Sequence, residues 1–101
     1  MVTFIRVATL DDLPPGARRR VDVEGYDVML LNLDGVLRAI GYRCPHDGGP
    51  LGDGTIAGDR ITCPLHRWTF DLKDGAAVTD RRVAARIYPV RVEGREILLG
   101  I

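Results

Sequence analysis

Short apolar runs separated by turn-forming pairs set the pattern of this chain. Runs rich in Val, Ile, Leu and Thr are broken at Pro14-Pro15-Gly16, Glu24-Gly25, Asp34-Gly35, Gly58-Asp59, Asp74-Gly75 and Glu93-Gly94. Gly reaches positive φ without a steric cost and Pro pre-sets φ for a turn, so the chain reverses at these marks. The runs between them predict strands over residues 2–7, 19–23, 28–33 and 36–42, and again over 61–63, 68–72, 86–92 and 96–99. Asp34-Gly35 is a tight-hairpin signal. A single helical turn is predicted over 9–13, where Thr9 caps the start and Pro14 ends it. Strands this short and this often interrupted predict an all-β chain, a β-sandwich or small barrel.

A length of 101 residues predicts one domain over 1–101, with a core small enough to profit from a stabilising cofactor. Residues 43–75 hold six of the twelve glycines and three of the six prolines, which predicts a loop-rich subdomain inserted in the β scaffold. The 14 basic and 14 acidic side chains cancel, so nothing argues for nucleic acid or an anionic membrane surface as a partner. Arg18-Arg19-Arg20 is the one run of positive charge and reads as a solvated strand edge. The first ten residues lack the apolar core of a signal peptide, and no stretch approaches the roughly 20 apolar residues that cross a bilayer. The expectation is a cytoplasmic chain without a membrane anchor.

Every Cys and His falls in one pattern: Cys44-Pro45-His46, sixteen intervening residues, then Cys63-Pro64-Leu65-His66. Two thiolates and two imidazoles are enough for one iron–sulfur or zinc centre. One disulfide is the other use of two cysteines, but a His close to each favours metal ligation in a reducing compartment. Pro45 and Pro64 fix φ directly after each Cys and stiffen both loops. Gly48, Gly49, Gly52 and Gly54 allow backbone N–H groups to come close to sulfur. Asp47, Asp53 and Asp71 read as turn and cap residues, Asp71 accepting bonds from loop amides. Trp68 and Phe70 alternate on a strand and read as core packed under the loops. No nucleophile–base pair is present, and the glycine-rich stretch lacks the Lys-Ser/Thr ending of a phosphate loop.

The segment RCPHDGGPLGDGTIAGDRITCPLHRWTFDLKDG over residues 43–75 resembles the cluster-binding part of the Rieske-type ferredoxins. It is similar also to the small subunits of NAD(P)H nitrite reductases. The resemblance implies one [2Fe-2S] cluster per chain, with Cys44 and Cys63 on one iron and His46 and His66 on the other. It implies a one-electron carrier rather than an enzyme, monomeric, receiving electrons from a flavin reductase and passing them to an oxygenase-type or reductase acceptor. The alternatives are a nitrite reductase-like small subunit and a structural or regulatory Rieske-fold domain. Zinc fingers use paired Cys knuckles, whereas each loop here supplies one Cys and one His.

Two departures carry chemistry. Respiratory Rieske proteins bridge their loops by a disulfide, and the matching positions here are Gly49 and Leu65. They also place hydroxyl donors where this chain has Trp68 and Phe70. Neutral imidazoles in place of two thiolates make the cluster less negative, which lifts the potential from about −400 mV into roughly −150 to +300 mV. Losing two donors lowers it again within that range. A third departure is Arg67, where the family usually has Gly.

Overall fold

The computed structural model describes residues 2–101. Its centre is an antiparallel sheet of β2 (Arg18–Val23), β3 (Tyr26–Leu33) and β4 (Val36–Gly41), in that order. Two tight turns set its register. Glu24 and Gly25 have φ of 51° and 86°, and Asp34 and Gly35 have 58° and 100°. Positive φ at both central residues matches the twist of antiparallel strands, which is why Asp-Gly and Glu-Gly close these hairpins.

β3 is buried on both faces, and the alternation of its side chains decides what each face builds. Val28 and Leu30 join Leu13, Ala39, Ile97 and Leu99 in one core, while Met29 and Leu31 join Ile40, Leu51, Ile61 and Phe70 in another. The first core is closed by a second sheet, with order β1-β9-β8, of β1 (Phe4–Thr9), β8 (Val90–Glu93) and β9 (Glu96–Gly100). Both ends of the chain therefore meet in one sheet, with Ile5 opposite Leu99. The second core carries a third sheet of three-residue strands, β5 (Thr55–Ala57), β6 (Arg60–Thr62) and β7 (Thr69–Asp71). Burying each large aliphatic side chain contributes about 1.5–3 kcal/mol, so the third sheet is held by its packing on β3 and not by its few ladder bonds.

The all-β sandwich expectation holds, but among the described residues the three sheets do not close into a barrel. Strand β5 was not expected, because Thr55-Ile56-Ala57 is too short to show a period and becomes a strand only by pairing with β6. The strand expected over 86–92 is split at Pro89, which has no N–H for a ladder. Its first half pairs with β4 instead: Gly41 N–H donates to Arg86 C=O at 2.9 Å and Tyr88 N–H to Ala39 C=O at 3.0 Å. The turn over 9–13 is a 3₁₀ turn, Leu10–Asp12, whose Asp12 carboxylate accepts from the Thr9 N–H at 3.1 Å and hydroxyl at 3.2 Å. No helix among the described residues is long and apolar enough to cross a membrane.

The Arg18–Arg20 run is exposed at the start of β2, as expected, yet two of its members work. One Arg18 nitrogen donates to the Gly52 and Gly54 carbonyls, both at 2.8 Å, and ties the central sheet to the loop after Pro50. Arg20 pairs with Asp27 through two bonds at 2.9 and 2.8 Å. Gly54 is needed for close approach, since a Cβ there would lie 2.1 Å from the Thr62 carbonyl oxygen.

Candidate metal centre

Two loops with one hydrogen-bond plan meet at the end of the third sheet. In the first, Cys44 N–H donates to Gly49 C=O at 2.8 Å and Gly48 N–H to Cys44 C=O at 2.7 Å. In the second, Cys63 N–H donates to Trp68 C=O at 2.8 Å and Arg67 N–H to Cys63 C=O at 3.0 Å. Each loop thus bonds the Cys N–H to the residue five places on and closes its turn at the residue four places on. That fourth residue has positive φ in both, 74° at Gly48 and 59° at Arg67. The loops pack on each other where Leu65 covers Gly49: a Cβ on Gly49 would lie 2.6 Å from Leu65 Cδ1.

The four expected residues come together in two tiers. Cys44 and Cys63 are 2% and 0% exposed and lie within the second core. The imidazoles lie outside them, His46 with 33% and His66 with 62% of its side chain exposed, their ring centroids 5.5 Å apart. Trp68 stacks on His46 with centroids 4.1 Å apart and planes 17° apart. The indole is half-buried and packs on the core, as expected, but its face also fixes the plane of a candidate ligand.

Asp47 is the residue that sequence reasoning placed too modestly. It is a turn residue, accepting from Gly49 N–H at 2.8 Å. It also lies 2.5 Å from His66 Nδ1, 3.7 Å from His46 Nδ1 and 3.9 Å from Cys63 Sγ. Its donor atom is within 4.8 Å of both members of each tier. Bonds from His66 and from the Gly49 N–H hold its carboxyl down to about 2. Only its position next to His46 could have flagged it. Asp71 behaves as expected, accepting from Lys73 N–H at 2.8 Å.

The donor set fits an iron–sulfur cluster with two kinds of ligand. Burial pushes the Cys44 thiol up to about 11, while N–H groups of His46 and Asp47 aimed at its sulfur pull the other way. Those donors are already in place for a thiolate, which a bound metal would create by displacing the proton. The candidate sulfur ligands are sealed from water and the candidate nitrogen ligands reach the surface. A cluster held by them would have a short path to solvent through an imidazole.

Fold and donor set together define a small β-sandwich that brings two Cys and two His side chains together between two equivalent loops. The model of the Rieske [2Fe-2S] domain matches residues 3–92. The ferredoxin component of naphthalene 1,2-dioxygenase/salicylate 5-hydroxylase systems from Ralstonia is 34% identical over 95% of this chain and 93% of its own length. Among solved structures, the ferredoxin of carbazole 1,9a-dioxygenase from Nocardioides aromaticivorans is 38% identical, covers 96% of both chains and superposes with a TM-score of 0.85. A protein assigned as the small subunit of an NADH-dependent nitrite reductase from Mycobacterium tuberculosis is 27% identical over 100% of this chain and 96% of its own, with a TM-score of 0.88. The chain belongs to the Rieske [2Fe-2S] domain family, and its cofactor is a Rieske-type cluster.

Proposed function

We propose that this chain is a one-electron carrier of an oxygenase system, formed as one Rieske domain over 1–101 with residues 43–75 holding the cluster. Cys44 and Cys63 bind one iron and His46 and His66 the other. When bound, the cluster takes up and releases a single electron. The observation that carries this reading is the tiered donor set, thiols sealed in the core beneath two solvent-facing imidazoles. Buried Cys44 and Cys63 keep water from the sulfurs, Trp68 holds the His46 plane, and the His edges offer the exit route. An oxygenase is the acceptor, by likeness to the ferredoxin components above, and a flavin reductase is the donor this carrier role calls for. We assign a monomer working in the cytoplasm.

Electron paramagnetic resonance before and after dithionite tests it. The oxidised protein should be silent and the reduced one should give a rhombic signal of low average g. A colourless protein that holds zinc and cannot be reconstituted with iron and sulfide would defeat the reading.

The second reading is a small subunit docked on a larger nitrite reductase-like chain, favoured by the likeness over the whole chain to the Mycobacterium protein. A carrier elutes alone at about its sequence mass of 11.1 kDa; a subunit elutes with its large chain.

A further inference from the structure

Arg67 occupies a left-handed position that favours glycine, with φ of 59°. Its counterpart in the first loop, reached by the same pair of backbone bonds, is Gly48. Among the described residues only Glu24, Asp34 and Arg67 combine a side chain with positive φ, and the first two sit in tight hairpins. A bulky side chain in the left-handed region is strained, and such strain persists where the surroundings or a function demand it. Folding makes no visible use of this side chain. Arg67 is exposed and forms no ion pair or side-chain hydrogen bond among the described residues, although most of the other arginines do.

Its neighbours complete a surface. His66, one residue before it, is the most exposed candidate ligand, and Leu65 before that leaves 58% of its area in solvent. Arg43 flanks the first loop with 62% of its side chain exposed and a nitrogen 3.5 Å from the Gly48 carbonyl. The carboxylate between the loops, Asp47, faces inward with 11% exposure. The exit face therefore has an apolar centre beside the cation Arg67, unpaired among the described residues, with Arg43 at its edge 3.9 Å from the Asp27 carboxylate, although the whole chain has zero formal charge.

We propose that this face docks on an acidic surface of a protein redox partner, with Arg67 as the specificity-determining contact. The proposal rests on the carrier reading. Charged contacts at the rim of an interface act chiefly on encounter rate and partner choice.

Small oxidants of opposite charge test it in holo-protein reduced by dithionite. One electron passes from the reduced protein to hexacyanoferrate(III), a trianion, or to hexaammineruthenium(III), a trication, giving the reduced complex and oxidised protein. The chain has zero formal charge and the reduced cluster with its two thiolates adds about one negative charge, so attraction of an anionic oxidant can come only from the local field of the arginines. The anionic oxidant should react faster at low salt and slow as salt is added, the cationic one the reverse. The ratio of the two rate constants should fall about three- to tenfold in Arg67→Gln and further in Arg67→Glu. A change in potential moves both rate constants in the same direction, so the ratio is governed chiefly by charge. Arg67→Gly should show the same fall with an unchanged or higher Tm, since it removes strain. An unchanged ratio in Gln and Glu variants overturns the proposal, as does an Arg67→Gly variant whose only change is a lower Tm. A wild-type protein that cannot be reduced and reoxidised reversibly overturns the carrier reading and this proposal with it.

Discussion

The indole of Trp68 lies on the imidazole of His46 with centroids 4.1 Å apart and planes 17° apart. Trp68 ends the second loop just before β7 and His46 sits in the first, so the contact links the two loops as well as fixing a ring. Aromatic pairs of this kind contribute about 0.5–1.5 kcal/mol beyond their burial. Trp68→Leu should loosen His46 and broaden the reduced resonance signal, while Trp68→Phe should keep most of its shape. Trp68 is also the only Trp, so cluster removal should change the fluorescence of a single reporter.

Cys44→Ser and Cys63→Ser should each abolish the cluster, read as loss of visible absorption and of bound iron. Serine is a far poorer ligand for this centre. Both sulfurs sit in the core and are the only thiols of the chain, so no other thiol can replace either.

The reduction midpoint should lie below about 0 mV, in the low part of the Rieske range. Trp68 and Phe70 stand where related proteins of high potential have hydroxyl donors, and neither side chain carries a hydroxyl. A titration with a midpoint well above that would defeat the argument.

Gly54→Ala should cost about 1–3 kcal/mol in a urea melt, the usual range for forced overpacking. Its backbone is extended, with φ of −70°, so the cost comes from the Thr62 carbonyl oxygen 2.1 Å from the new Cβ and not from φ. Because Gly54 also accepts from Arg18, the variant should loosen the loop after Pro50 and retain cluster poorly.

Acid should remove one identifiable contribution to stability. Two bonds from Arg20 hold the Asp27 carboxyl below its usual value of 3.8. A depressed carboxylate stabilises the fold above the unfolded value and loses that contribution as pH falls through the folded one. Urea midpoints should therefore decline below about pH 4, and Asp27→Asn should flatten the decline.

Turn chemistry and ligand chemistry are local, and both were legible along the chain. Glu24-Gly25 and Asp34-Gly35 place positive φ where a hairpin needs it, and Cys44, His46, Cys63 and His66 are the only thiols and imidazoles present. No packing can move a turn or supply a missing ligand type, so the hairpins, the all-β class and the donor set follow from residue identity. The rest needed neighbours far away in sequence. Thr55–Ala57 is a strand only because β6 lies beside it, and residues 86–88 leave β8 for β4 because Pro89 has no N–H. Asp47 reads as a turn residue until the second loop brings His66 and Cys63 against it. Arg67 stands out along the chain only against the family's usual Gly, and the equivalence of the two loops with its positive φ gives the physical reason. Such roles belong to pairs of segments, and only the burial that brings the segments together assigns them.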